Sequence, residues 1–291
     1  MKQVSKILLP VSSTRNIEAA FTLGRNFIRR FNAHLAVIHI QADGRDIAPL
    51  AGEGLTGGMI EELMSAAAKE SVKRSEEIRD AFQTFATTNG LEITDSASSF
   101  PTDRPTASLT VLTGDEPQRI AWHARLSDFT LIQHPDSGDE VSSSEALHAV
   151  LFDSGRPAIM APRVPPKDVI RRICIAWNGS AEAASALRGV LAWASTAEKV
   201  RVLHGNDSYM QGPSVNEVVQ YLAMHNIEAD TQEFPPEDRN VGKGLLKACT
   251  DFDADLLAMG AYSHSRLRQL ILGGVTRHIL EHAELPVLLS H

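Results

Sequence analysis

One pattern occurs twice in this chain, 166 residues apart, and that repetition limits what the chain can fold into. The run Ile7–Val11, followed by Ser12-Ser13-Thr14, is matched by Ile173–Trp177, followed by Asn178-Gly179-Ser180. Ala36–His39 is matched within Val200–His204, and Pro157–Met160 by Pro286–Leu289. Each run is short and apolar, as a strand buried on both faces must be. Helical patterns separate the runs, and strands alternating with helices imply parallel sheets with right-handed crossovers. The fold class is therefore α/β: two tandem doubly wound parallel-sheet domains, residues 1–164 and 168–291, with Pro162, Pro165 and Pro166 punctuating the linker.

Within the first copy the pattern gives strands at Lys6–Val11 and His34–Ile40, and a helix between them ending near Phe31. Ser12, Ser13 and Thr14 supply capping chemistry for that helix. A long helical pattern over about 59–88 carries the stripe Ile60, Met64, Ala67, Ala68, Ile78, Phe82 and Phe85, and stops at Asn89-Gly90. Strands at Ser108–Leu112, Asp128–Gln133 and Ala158–Ala161 complete the copy, with loop expected over Asp95–Pro105. The net charge of −8 divides as −5 over residues 1–166 and −3 over 167–291, so neither half has the basic bias of a nucleic-acid binder. Cys174 and Cys249 read as two buried thiols in a reducing compartment. The apolar run at the start is too short for a secretion signal. No stretch reaches the roughly 20 apolar residues of a membrane helix. A soluble, cytoplasmic protein is expected.

The chemistry concentrates in Gly260–Leu280, GAYSHSRLRQLILGGVTRHIL. Gly260 ends the apolar run Asp255–Met259, where the missing Cβ allows close backbone approach. Gly273-Gly274-Val275-Thr276 then opens a helix whose apolar face includes Ile279 and Leu280. Free N–H groups and the positive dipole end at such a start attract anions. Arg266, Arg268 and Arg277 flank it without an acidic residue between Gly260 and Leu280. This reads as a phosphate cradle beyond the carboxyl end of a parallel strand, where open α/β sheets bind ligands. The competing reading is that these glycines serve only close helix–strand packing.

The same stretch resembles the nucleotide motif of the universal stress proteins: Gly, two residues, Gly, nine residues, Gly, then Ser or Thr. Here it runs Gly260, two residues, Ser263, nine residues, Gly273, then Gly274, with Val275-Thr276 following as in the family. Ser263 and Gly274 depart from the pattern. The resemblance implies five-stranded domains of the adenine nucleotide alpha hydrolase-like kind and ATP, or a related adenine nucleotide, as ligand, with a divalent cation such as magnesium bridging its phosphates. It places Asn178, next to Ala176, where the family has an adenine-reading acidic residue, and backbone near Val202 and Leu203 beside the adenine. Ser263, His264, Arg266, Gly273, Gly274, Val275 and Thr276 fall at the phosphates. It further implies that the final strands Ala158–Ala161 and Val287–Leu289 pair as an intramolecular pseudo-dimer, with homodimerisation of whole chains as a further step.

The first copy has Ser12 in place of Asn178 and Gln133-His134-Pro135-Asp136 in place of the glycine motif. Asp136, Asp139, Glu140 and Glu145 nearby would repel a polyphosphate, so this copy reads as degenerate. His278-Ile279-Leu280-Glu281-His282 matches a zinc-protease pattern that short sequences match by chance, and a solvated helix face is preferred. Gly242-Lys243-Gly244 lacks the rest of a P-loop. Trp177 reads as core or pocket wall. No general base is positioned for efficient catalysis, leaving slow ATP hydrolysis as the ceiling. The expected role is a nucleotide-binding stress-response sensor or regulator. The alternative is an interaction module of the same fold that binds no nucleotide.

Overall fold

The computed structural model describes residues 4–41, 57–94, 103–134, 145–167, 170–205, 212–262 and 273–291. The first half runs β1 (Lys6–Pro10), α1 (Ile17–Phe31), β2 (His34–Gln41), α2 (Gly57–Thr88), β3 (Glu92–Ile93), β4 (Thr106–Thr113), α3 (Glu116–Arg125), β5 (Phe129–Ile132), α4 (Glu145–Asp153) and β6 (Ala158–Met160). The second runs β7 (Arg172–Trp177), α5 (Ala181–Ala194), β8 (Lys199–Gly205), α6 (Val215–Met224), β9 (Ala229–Phe234), α7 (Val241–Asp251), β10 (Leu256–Gly260), α8 (Gly274–His282) and β11 (Val287–Ser290). The element order repeats, with β3 as the one addition.

The strands do not form two separate sheets. They join in one sheet of eleven, in the order β3-β4-β2-β1-β5-β6-β11-β10-β7-β8-β9. Every neighbouring pair is parallel except β6 and β11, which meet antiparallel at Met160↔Val287, Ile159↔Leu288 and Ala158↔Leu289. Each half thus places its last strand at an edge, and the two edges complete one another. An apolar edge left open would be a template for aggregation. The outer strand β9, in contrast, is polar, and Arg201 of β8 holds Asp230 through both carboxylate oxygens at 2.7 Å.

The core follows from this arrangement as two layers. One face of the sheet packs under α1, α2, α5 and α6 through Phe27, Ile78, Phe82, Val190, Trp193 and Leu222. The other packs under α3, α4, α7 and α8 through Ile120, Leu147, Leu151, Leu245, Ile279 and Leu280. Both layers run across the junction. Trp193 of the second half stands 5.3, 5.5 and 4.7 Å, centroid to centroid, from Phe27, Phe31 and Phe129 of the first. The Arg30 guanidinium donates to the carbonyls of Ile170 at 3.3 Å and Thr196 at 2.8 Å.

Two local expectations are corrected. Ser12–Thr14 do not cap α1, which begins after Asn16 at φ 55 with no side-chain cap. The corresponding turn of the second half does use its serine: Ser180 Oγ accepts from Ala183 N at 3.1 Å. The stripe on α2 is buried only in its second part. Ile78, Phe82 and Phe85 lie in the core, whereas Met64 and Ala67 are only half-buried and Ala68 is exposed. No helix among the described residues is long and apolar enough to cross a membrane.

The sheet also contains a pH-sensitive element. His34 is buried in β2, its Nδ1 and Nε2 lying 2.8 and 2.9 Å from Thr106 Oγ1 and Ser108 Oγ. Burial, reinforced by the Lys6 charge, lowers its pKa from 6.5 to about 4. The unfolded chain therefore takes up this proton first as pH falls, so the contribution is complete above pH 6.5 and is lost on the way to about 4. Its ceiling is about 3 kcal/mol. The urea midpoint should fall between about pH 7 and about pH 4.5, and fall less in His34→Gln. Equal losses in both proteins would show that His34 is not the group responsible.

Candidate functional site

In a parallel sheet, ligands gather where successive crossovers leave a strand in opposite directions. In the second half that place is the carboxyl end of β7 and β10, which are neighbours although β8 and β9 separate them in the chain. Gly260 ends β10 there. A Cβ on it would stand 2.6 Å from Ala183 N and 2.7 Å from the Glu182 carbonyl carbon. The first turn of α5 is thus seated on the end of β10, and this glycine serves close helix–strand packing. Beyond it, Tyr262 takes φ +66 and is buried. Ser263, His264, Arg266 and Arg268 lie outside the described residues.

The chain re-enters at α8. Because β10 and β11 are parallel neighbours joined by this helix, its amino end lies on the carboxyl side of the sheet. Gly273 is the N-cap at φ −55 and ψ 139, with no side-chain cap. The first intrahelical bond from this cap runs from Arg277 N to Gly273 O at 3.0 Å. The N–H groups of Gly274, Val275 and Thr276 therefore precede the helical ladder. A Cβ built on Gly273 or Gly274 would meet no atom of the described residues within 4 Å. Thr276 is buried, Val275 is half-buried, and Arg277 is engaged with Glu281 through Nε–Oε1 at 2.7 Å.

The opposite wall comes from β7 and β8. Ala176 is half-buried, and Asn178 is exposed just past β7. Asn178 Oδ1 accepts from Ser180 N at 3.1 Å, so the carbonyl holds the turn and has one lone-pair direction to spare. Val202 and Leu203 are fully buried within β8, paired to Ile175 and Ala176 on one side and to Thr231 and Gln232 on the other. The strand continues past them to His204 and Gly205. Trp177 is a core residue whose Nε1 donates to Pro213 O at 2.9 Å. Gly212 sits so close to Gly179 that a Cβ would fall 2.1 Å from the Gly179 oxygen. The segment entering α6 thus folds back over the turn that follows β7.

A contact that the sequence does not announce fixes the exit of β10. The Tyr262 hydroxyl and His148 Nε2, the latter on α4 of the first half, share a hydrogen bond of 2.8 Å. Phe152 closes against the tyrosine at 4.9 Å. Burial raises the tyrosine pKa and lowers that of the histidine, so both stay neutral. The residues are 114 apart in sequence; Tyr262 is one of the unspecified positions between Gly260 and Ser263, and His148 belongs to no motif.

The equivalent crevice of the first half, between β1 and β5, is laced by its own side chains. Gln133 Nε2 donates to Ser13 O at 3.2 Å and to Arg15 O, and Asn16 Nδ2 to His134 O at 3.5 Å. His278 and His282 do share a helix face, but their rings stack at 4.2 Å. His278 Nδ1 faces the Asn240 amide nitrogen at 3.2 Å and His282 Nδ1 faces its own helix. No metal-holding cluster occurs among the described residues. Cys174 and Cys249 are buried free thiols.

Comparison with known proteins agrees with this architecture. A sequence model of the universal stress protein family matches residues 170–291. No curated protein matches the chain by sequence. Among solved structures, a universal stress protein from Archaeoglobus fulgidus DSM 4304 superposes with a TM-score of 0.68 at 14% identity, covering 98% of this chain and 95% of that one. A putative universal stress protein from Pseudomonas aeruginosa UCBPP-PA14 gives 0.54 at 15%, covering 99% and 94%. These likenesses show the fold over the whole length, while the sequence match marks the second half.

Proposed function

We propose that the second half, whose residues 170–291 match the universal stress protein family within a chain that carries the fold throughout, binds ATP or a related adenine nucleotide. The phosphates would lie at the start of α8, with a divalent cation bridging them, and the base between the ends of β7 and β8. Asn178 would read the adenine edge with its amide. The observation that carries this reading is the uncapped amino end of α8, where Gly273 and Gly274 leave room for an anion against three N–H groups. The first half would bind no nucleotide, because Gln133 and Asn16 already bridge the matching crevice. The protein would act as a cytoplasmic, nucleotide-responsive regulator in the stress response rather than as an efficient hydrolase.

A second reading has its own support. The Gly212–Gly179 approach and the Trp177–Pro213 bond bring chain over the adenine side. That favours an interaction module without nucleotide. Titration calorimetry of the full chain with ATP and magnesium separates the two. Saturable binding of one equivalent with Kd below about 1 mM, or about 4 kcal/mol, is expected. An absence of heat at that concentration would favour the module.

A further inference from the structure

A groove of about 760 Å³ lies on the α5 side of the sheet, beside the ends of β10 and β11, where the two halves meet along the outer side of α5. Its size is that of a small-molecule site. Arg188 and Ser185 of α5 line it from the second half, and Arg156, on the turn between α4 and β6, from the first. Trp193 closes one end and Ser290 of β11 contributes from the sheet.

The donors around this groove are largely unspent. Arg188 makes no hydrogen bond or ion pair to any described residue. Arg156 gives one side-chain bond, Nε to Arg125 O, at a long 3.4 Å. Trp193 is 1% exposed, and its Nε1–H has no partner among the described residues. A buried indole N–H without an acceptor is uncommon, since such groups nearly always find one. The Asp128 carboxylate in the wall is already committed: its Oδ2 accepts from Ser5 N at 2.6 Å and Lys6 N at 2.9 Å.

The internal repeat separates scaffold from ligand chemistry. The Asp128 clip recurs in the second half, where Asp255 Oδ2 accepts from Arg171 N and Arg172 N at 2.9 Å each. It is therefore part of how each copy is built. The three donor groups do not recur. At the matching positions, Arg188 has Thr22, Trp193 has Phe27, and Arg156, aligned through the Pro157–Pro286 match, has Leu285. Two guanidiniums and an indole N–H were thus placed on one side only of a pseudo-symmetric junction, in a chain whose net charge is −8.

We propose that this groove is a second ligand site, for a small organic anion carrying a phosphate or carboxylate group. Arg156 and Arg188 grip the anion from opposite halves, with Ser185 as a further donor, and the body of the ligand lies toward the Trp193 end of the groove. Such a ligand would tie the two halves together at the side of β11, next to the strand that leads into the proposed nucleotide site.

Pyrophosphate and citrate serve as probes of the phosphate and carboxylate chemistries. They are added to the full-length protein, with the indole N–H resonances followed by ¹H–¹⁵N spectroscopy and the Trp193 signal assigned by its loss in Trp193→Phe. At least one probe should shift that resonance saturably at about 1 mM or below. Arg188→Gln, at an exposed position, should weaken binding about tenfold, and Arg156→Gln similarly. Gly273→Asp, which alters the other site, should leave it unchanged. The proposal is overturned if neither probe moves the Trp193 resonance by about 10 mM, a concentration of only about 3 kcal/mol in affinity. It is also overturned if Gly273→Asp abolishes the shift while Arg188→Gln does not.

Discussion

Leu288→Glu should remove most of the stability of the folded chain. Leu288 is fully buried, pairs with Ile159 across the junction, and belongs to the layer that contains Val190 and Trp193. A carboxylate there would be set among the apolar side chains of that layer. The cost of burying it unpaired, added to the lost packing, is about 4 kcal/mol or more. A domain of ordinary stability has only about 5–15 kcal/mol in total. The two halves are tethered, so their edges meet at high effective concentration, and small losses of contact would be tolerated. A buried charge would not. Urea denaturation and small-angle scattering together test this: the midpoint should collapse, with separated halves or aggregates in place of the compact particle. An unchanged midpoint and unchanged scattering would mean that β6 and β11 do not form the junction.

The strands were legible because a sheet covered on both faces leaves no polar alternation to confuse with a loop. β1, β2, β5 and β10 all read as apolar runs and are buried along nearly their whole lengths. β3 escaped notice because it is only two residues long, both exposed, and held only by pairing with β4. The stripe on α2 misled for a reason of length. A helix of 32 residues spans roughly 48 Å, and the eight-residue strands beneath it only about 26 Å, so the sheet cannot cover its whole face. Its amino-terminal part consequently stands clear of the core despite the periodic pattern. That the two sheets fuse was legible only through the matched apolar last strands, since register across a junction leaves no local signal.

At the site, the glycines were legible as positions but not as purposes. A missing Cβ serves a ligand and a packed helix equally well, and at Gly260 the neighbour is the backbone of Glu182 and Ala183. Gly273 differs, because no described residue occupies the space beside it. The His148–Tyr262 bond was invisible because it joins the halves through two residues that follow no periodicity. Likewise the resemblance placed Val202 and Leu203 near the base by motif spacing, whereas β8 extends two residues further to Gly205. What spacing cannot supply is where a strand stops.

That open space makes Gly273→Asp the sharpest test of the proposed nucleotide site, because binding and stability should move in opposite directions. The backbone at φ −55 and ψ 139 suits any residue, and no atom of the described residues lies within 4 Å of the new Cβ. Aspartate is moreover a better N-cap than glycine: its carboxylate can accept the free N–H groups of the first turn and faces the positive end of the helix dipole. The thermal midpoint should therefore stay level or rise, by up to about 1 kcal/mol of added stability. The same carboxylate would occupy the phosphate position and repel the nucleotide, so affinity for ATP should fall at least about 100-fold, or roughly 2.7 kcal/mol. Gly273→Asn divides the two causes, since its amide oxygen takes up the same N–H groups without a charge. An intermediate loss of affinity would show that both donor competition and charge repulsion operate. ATP binding that survives Gly273→Asp at full strength would move the phosphate site away from α8.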